Sequence, residues 1–351
     1  MLIPDVLCKI FEYLDDRDEV SGSPTPKTFR NLYSCLLVNR RWCESAVSVL
    51  WRSPFHRCHK RGGKALVQTL LNCLNYEERQ SLLEDGIYLP FNKSDCPIFD
   101  YPNFLKNLDY YQMVLFVRSW CRLLEDSDDQ YVVAILRSLL RLFAGRSASL
   151  SALTIRSTGL DDDKYSLLAE PDILTLIKPI RHLAINCFFP KDTLLVTLAK
   201  NCRNLHSIRI NNLSAYDDIS IHTAKKLGTL IESQRGLKKI VFSRCKAFIG
   251  IVIPSLVKQK RTLKHIEFRG IDFEGCCKWD VLKSCTKLER LDIKECYNMD
   301  LNMISPLLKS HHRNLKKVWV YACEPYEIGD ELEAWADMMN SRRRRRNSSS
   351  S

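Results

Sequence analysis

A short pattern of apolar residues recurs along the second half of the chain. Its clearest copy places Leu288, Leu291 and Ile293 at spacings of three and two residues, with Cys296 after them. The last two apolar residues of each copy are two apart, so they point to the same side of a short strand. Seven copies return every 25 to 32 residues, a regularity that predicts a repeat array. They begin at Leu150, Ile180, Leu205, Leu237, Leu263, Leu288 and Leu315.

The stretches between the copies predict helices. Apolar residues recur with helical spacing in Asp192–Asn201 and in Ser220–Arg235. One strand and one helix cannot bury an apolar side alone, so successive repeats are expected to stack. The prediction is an α/β solenoid: a curved parallel sheet with the helices outside it. A parallel α/β enzyme would instead need Gly-rich strand-to-helix turns that hold phosphate, and the chain shows none.

The pattern and its spacing resemble the leucine-rich repeat family over Ser149–Cys323. Cys245, Cys296 and Cys323 stand where that family places Asn or Cys. The resemblance implies that the strand face of the solenoid holds a target protein.

The outward positions of the strands predict the residues that contact the target. Stacked repeats bring equivalent positions into columns, and the third and seventh positions collect positive charge in the last four repeats. We expect this face to take an acidic or phosphorylated segment with an aromatic or aliphatic anchor. The alternative is that the face is polar only because water covers it. The predicted target-binding residues are Lys239, His265, Arg269, Arg290, Lys294, Lys317, Trp319 and Tyr321.

The first 51 residues predict three short helices. Apolar residues fall on one helical face from Leu2 to Leu14, and similar patterns follow in Phe29–Leu37 and Val38–Trp51. The polar stretch Asp15–Lys27 contains Gly and Pro and interrupts the first pattern. Three short helices bury little surface on their own, so we expect a partner or the rest of the chain to complete them.

These helices resemble the F-box, whose motif combines an N-terminal Leu-Pro and apolar run with a later Val-x-Arg-x-Trp. The chain carries Val38-Asn39-Arg40-Arg41-Trp42 in place of the Val-x-Arg-x-Trp part. In the N-terminal part, Pro4 comes one residue later than the proline of the motif. The resemblance implies docking to the small helical adaptor of cullin-type ubiquitin ligases. The alternative is a helical cap on the solenoid. The implied adaptor-binding residues are Leu2, Pro4, Leu7, Ile10, Phe11, Leu14, Leu36, Val38 and Trp42.

The predicted domain organisation has four parts. An F-box-like helical domain covers 1–53, a helical bridge that caps the first repeat covers 54–148, the solenoid covers 149–335, and an Arg/Ser-rich tail predicted to be disordered covers 336–351. The tail holds Arg342–Arg346, a run that fits a nuclear signal, binding to anionic polymers, or simple solvation. Without those five arginines the net charge of +12 falls to +7, so nucleic acid is not expected to bind outside the tail.

The many cysteines and the lack of long apolar runs predict a protein of a reducing compartment, cytoplasmic or nuclear. Fifteen cysteines occur without a signal sequence, and no apolar run approaches the length of a membrane span. No C-x-x-C pair and no nucleophile–base set is present, so we expect no metal, no cofactor and no catalytic residue.

Two functions therefore remain open. In the first, the chain is the substrate receptor of an SCF-type ubiquitin ligase and brings target lysines near the conjugating enzyme without doing chemistry. In the second, it is a leucine-rich-repeat scaffold or nucleic-acid-associated protein without a ligase link. The sequence does not identify the target.

Overall fold

The computed structural model describes residues 4–14, 26–89, 96–123, 129–146, 150–157, 166–187, 192–212, 218–245, 249–274, 280–300, 302 and 314–348. The chain divides into two compact units. The first comprises Met1–Thr154 with Glu170–Ile177, and the second comprises Ile155–Ala169 with Lys178–Ser351. No helix in the described part of the chain combines the length and apolar character that crossing a membrane requires.

The first unit begins with the three predicted helices, α1 (Pro4–Leu14), α2 (Pro26–Leu36) and α3 (Arg40–Leu50). Helix α3 begins after Asn39, whose side chain accepts a hydrogen bond from the Trp42 backbone N–H at 3.0 Å. The three helices share a small apolar core, against which Leu36, Trp42 and Leu50 pack. Its fully buried members are Leu7, Phe11, Leu32, Cys35, Ala46 and Val49.

Further helices complete the first unit: α4 (Pro54–Arg57), α5 (Gly63–Asn72), α6 (Tyr76–Glu84), α7 (Tyr110–Cys121), α8 (Asp129–Arg146) and α9 (Pro171–Ile177). Helices α4 to α8 lie within residues 54–148, where a helical segment was predicted. Helix α5 comes so close to α7 that a Cβ on Gly63 would lie 2.4 Å from the Phe116 ring.

The bridge also contains a strand that the helical patterns did not predict. Strand β1 (Asn107–Asp109) pairs in parallel with Ala152–Thr154 of β2 (Ala152–Ser157). Three residues are too few to show an alternating pattern, so the strand is invisible in the sequence. The backbone N–H groups of Lys106 and Asn107 both donate to the Arg52 carbonyl, which fixes the entry of β1 after α3.

The second unit contains the repeat array. Its strands are β3 (His182–Cys187), β4 (Ser207–Asn211), β5 (Lys239–Ser243), β6 (His265–Arg269), β7 (Arg290–Lys294) and β8 (Lys317–Tyr321). Strands β3 to β8 follow chain order in the sheet, and every neighbouring pair among them is parallel. Helices α10 (Asp192–Asn201), α11 (Asp218–Glu232), α12 (Ile249–Val252) and α13 (Asp280–Ser284) lie between strands in the sequence. This α/β layout confirms the predicted fold class.

A left-handed residue ends each strand from β4 to β8. Asn212, Arg244, Glu295 and Ala322 have φ between 49° and 54°, and Gly270 has φ 57°. The first three of these, with Gly270, donate their backbone N–H to the last carbonyl of the following strand at 2.7–2.9 Å. The chain therefore turns in the same way after each strand, and four of the five turns form without glycine at some steric cost.

The C-terminal stretch differs from the predicted disordered tail. Helix α14 runs from Tyr326 to Ser348, across the predicted boundary at residue 336. Its apolar residues Ile328, Leu332, Trp335 and Ala336 are buried. The Asn340 side chain also donates to the Val318 carbonyl at 2.9 Å and accepts from the Val318 N–H at 3.2 Å. Packing on β8 therefore orders a helix that the polar composition of the last residues conceals.

The first prediction tests the strand register. Ile293 is fully buried, so Ile293→Ala should lower the free energy of unfolding by about 2–5 kcal/mol through the cavity it leaves. Lys287, exposed in the turn before β7, serves as the control, and Lys287→Ala should change stability by less than about 0.5 kcal/mol. Urea unfolding of both variants measures the difference. Equal losses would show that Ile293 is not a core residue.

Candidate functional site

The outward side chains of β3 to β8 form three columns, which we call the strand face. The pairings align His182, Ser207, Lys239, His265, Arg290 and Lys317 in one column. They align Ala184, Arg209, Val241, Glu267, Asp292 and Trp319 in the next, and Asn186, Asn211, Ser243, Arg269, Lys294 and Tyr321 in the third. This is the register that the repeat spacing predicts, so all eight predicted target-binding residues share one surface.

Asp292 differs from its predicted behaviour. An outward position on a strand predicts a solvated carboxylate that tolerates replacement, yet Asp292 is 0% exposed. Arg290 covers it, with Nη2 at 2.7 Å and Nε at 2.9 Å from the carboxylate, and His265 Nε2 lies 3.4 Å away. Lys294 Nζ lies 3.6 Å away. Side chains from two strands therefore close over an acid in the middle of the strand face.

The surroundings of Asp292 keep it ionised. Burial acts to raise the pKa of the carboxyl, but the hydrogen bonds from His265 and Arg290 and the charges of Arg290 and Lys294 outweigh it, so the pKa lies well below its usual range. The charged form is thus the stable one in the folded protein. Asp292 holds the arginine and lysine of its own strand in place.

The carboxylates of β6 and β7 neutralise much of the predicted basic surface. Lys294 also lies 3.3 Å from Glu267, and Arg269 lies 3.5 Å from Glu295. Arg290, Lys294 and Arg269 are thus engaged within the protein. His265, Glu267 and Asp292 lie close enough to one another to ligate a cation. Because Arg290 and Lys294 already occupy their carboxylates, the cluster is better described as an ion-pair network.

A second acid–base cluster lies where the same strands begin. Glu289 is 2.7 Å from Lys264 and 2.6 Å from Lys316, one residue before β6, β7 and β8. Hydrogen bonds from these two lysines lower the pKa of Glu289 to about 2. The network links three successive repeats outside the strand face.

The last strand presents exposed aromatic side chains. Trp319 is 48% exposed and Tyr321 is 59% exposed. The ammonium groups of Lys294 and Lys317 each lie 5.2 Å from the centre of a Trp319 ring, within cation–π distance. An aromatic surface flanked by cations suits an apolar side chain beside an anionic one.

Sequence reasoning missed one cation of the strand face. Arg209 occupies the middle column on β4, between the short side chains of Ala184 and Val241. Only the third and seventh positions were expected to collect charge, so this arginine was overlooked. The signal was available, since the fifth position of each copy points outward as well.

The predicted adaptor-binding residues divide between core and surface. Leu7 and Phe11 are buried in the helical core, where Phe11 packs edge-on against Trp42 with ring centres 5.3 Å apart. Direct contact of Leu7 or Phe11 with an adaptor was therefore a wrong expectation, and Leu36 and Trp42 are only partly accessible. Ile10 and Val38 are exposed. Leu2, with the side chains of Pro4 and Leu14, lies outside the described residues.

The structure adds exposed apolar residues to Ile10 and Val38. Val6, Ile10 and Tyr13 follow one another at spacings of four and three residues, which places them on one face of α1. Tyr33 and Leu37, four residues apart around the end of α2, are exposed as well. We call these residues, with Val38, the helical patch.

Comparison with known families identifies the three helices. A family model described as F-box-like matches residues 4–57, so an F-box-like domain is present there. No curated protein matches the chain. The matched residues end before the strand array begins, and the resemblance of the array to leucine-rich repeats rests on its strands and spacing.

The second prediction concerns Asp292. Asp292→Asn should lower the free energy of unfolding at pH 7 by about 1–3 kcal/mol, because a buried carboxylate loses its charged hydrogen bonds. The folded-state pKa lies below the unfolded value of about 3.9, so this contribution is present above pH 4 and is lost as the pH falls toward the folded pKa. The stability gap between wild type and variant should therefore shrink between pH 5 and pH 3, as measured by urea unfolding. Glu232→Gln, at an exposed carboxylate, is the control, and a gap that does not change with pH would contradict the ion-pair assignment.

Proposed function

We propose that the protein is the substrate-recognition subunit of an SCF-type ubiquitin ligase. The helical patch docks the small helical adaptor, and the strand face binds the target. The observation that carries this proposal is the F-box-like match over residues 4–57, which coincides with three helices that pack around a shared core. Neither surface requires a catalytic residue, since the contribution of such a subunit is proximity.

The exposed apolar residues of the first unit support adaptor docking. Within the helical patch, Tyr13 is 86% exposed and Leu37 is 74% exposed. Both lie near the ends of short helices. Such a patch is costly in water and is typical of an interface with a partner. The core residues Leu7 and Phe11 support the patch from below by holding α1 against α3.

The second unit supports target binding by its outward columns. These combine aromatic side chains on β8 with cations on β4 to β8, and aromatic and arginine residues are enriched at the energetic centres of interfaces. This surface suits a target segment that carries an anionic side chain and an apolar one. All the cysteines for which the structure describes a state are free thiols, which is in keeping with a reducing compartment.

The third prediction tests adaptor docking. Val6→Asp together with Ile10→Asp places two charges in the helical patch and leaves the core residues intact. Binding to the adaptor should weaken by about 2 kcal/mol or more, the loss typical of central interface residues. Titration calorimetry with the full chain measures this, and circular dichroism checks that the variant is folded.

The matched control is Leu83→Asp, at an exposed leucine of α6 beyond the family match. It should bind the adaptor as wild type does. A folded Val6/Ile10 variant with wild-type affinity would contradict docking through α1. Leu7→Ala is unsuitable for this purpose because it would also open a cavity in the core.

The fourth prediction tests the target surface. Replacing Trp319 and Tyr321 with Ala removes the exposed aromatic pair of β8. Proteins cross-linked to the chain in cells and identified by mass spectrometry should then be recovered at least tenfold less. Adaptor binding should not change. Tyr326→Ala, at an exposed tyrosine that begins α14, is the control. Recovery of the same targets by the double variant would exclude the aromatic pair from target binding.

A further inference from the structure

The cations of the strand face are not equivalent. On β6 and β7, Arg269, Arg290 and Lys294 each have a carboxylate within 4.0 Å. On β4 and β5, the side chains of Arg209 and Lys239 make no hydrogen bond or ion pair with any residue that the structure describes. Cations without a paired carboxylate therefore lie at the middle of the array, on β4 and β5, and at Lys317 on β8, whose ammonium lies over Trp319.

The placement of Arg209 and Lys239 allows both to reach one ligand. Arg209 pairs with Val241, and Lys239 lies two residues before Val241 on the same strand. Strand spacing and rise put their Cα atoms about 8 Å apart on the diagonal, a separation that two long side chains can close around a single anion. Ala184 and Val241 flank Arg209 in its column with short side chains that carry no charge, and Arg209 is half-buried.

The electrostatics of Lys239 suit a neighbouring anion. Burial lowers the pKa of the Lys239 ammonium, and Arg209 and Arg290 lower it further, while Glu267 and Asp292 act in the opposite direction. Positive charge at this point is therefore less favourable than in water. An anion placed between Arg209 and Lys239 would relieve that repulsion.

We propose that Arg209 and Lys239 form an oxyanion-binding subsite that reads a phosphorylated or carboxylate side chain of the target polypeptide. This inference rests on the proposed function, since it takes the strand face as the target-binding surface. A fork of guanidinium donors beside an ammonium suits a phosphate or carboxylate group. The cations of β6 and β7 are paired with carboxylates of the protein, so a continuous polyanion would find few free cations along the sheet, and a polypeptide with one anionic side chain is favoured over a nucleic acid strand.

The distance to the aromatic pair defines a second element of the ligand. Lys239 on β5 and Trp319 on β8 are three strands apart, or about 14 Å across the sheet, which about four to five extended residues span. The target segment is therefore expected to carry an apolar side chain four or five residues from its anionic one. The anion would lie on β4–β5 and the apolar group on Trp319.

The test uses fluorescein-labelled twelve-residue peptides and the full chain. Each peptide carries leucine five residues after a phosphoserine, a glutamate or a serine, and binding is followed by fluorescence anisotropy in low salt. The phosphoserine or the glutamate peptide should bind at least tenfold more tightly than the serine peptide, and the stronger of the two identifies the source of the anion. Added salt should weaken this preference, because exposed charges are screened. Equal binding of all three peptides, or no binding, would overturn the proposal.

Variants then locate the site. Arg209→Glu with Lys239→Glu should reduce binding to the level of the serine peptide, and the neutral pair Arg209→Gln with Lys239→Gln should do the same if charge reversal disturbs folding. Lys238→Glu makes the same change at the exposed neighbouring residue and should leave the preference intact. A preference that survives in the folded double variants would overturn the assignment. So would stronger binding of a twelve-residue oligothymidylate, which would indicate a nucleic acid surface.

Adaptor binding is measured on the same preparations. Arg209 and Lys239 belong to the second unit, whereas the helical patch belongs to the first. A chain that selects the anionic peptide but does not bind the adaptor would support the subsite and contradict the ligase assignment. A chain that binds the adaptor without selecting an anionic peptide would overturn the subsite alone.

Discussion

The register between neighbouring parallel strands is the constraint on which the second unit depends. Ile208, Ile240, Ile266, Leu291 and Val318 are aligned from β4 to β8, and each is buried. Because strand side chains alternate with a period of two, a slip by one residue would move this whole row to the outward face and bring charged residues into the core. The same alignment fixes every outward column. Core packing and the layout of the binding surface are therefore one property of the array.

That register could be predicted from sequence because it is local and repeated. Each copy carries its own apolar spacing, and seven copies support one another even where a slot departs from the pattern. The burial of Asp292 could not be predicted in this way. It depends on His265 from the preceding strand and on the side-chain conformations of Arg290 and Lys294. The strand β1 was hidden by its length. Helix α14 was hidden by composition, because its packing residues are few and lie ahead of the arginine run.

The N-terminal motif illustrates a different limit of sequence reasoning. The apolar residues of the motif on a short helix are of two kinds: some build the helical core, and others face outward. Leu7 and Phe11 are of the first kind and Ile10 is of the second, although all three belong to the same recognisable pattern. A resemblance identifies the domain and its class of partner. Only the packing of α1 on α3 separates the residues that fold the domain from those that are free to touch another protein.

The charge of the strand face likewise cannot be read from the sequence alone. The number of cations does not locate an anion site, because some of them are paired with carboxylates of the protein. Arg290 looks like the strongest candidate in the sequence, but it lies against a buried carboxylate, and a ligand would have to compete with Asp292 for it. Arg209 attracts less notice, yet its neighbours in the column are Ala184 and Val241, which have no charge to offer it. Ion pairs within β6 and β7 thus stabilise the array and at the same time remove those strands from direct anion binding. What the array can recognise is determined by the cations that its own carboxylates leave uncompensated.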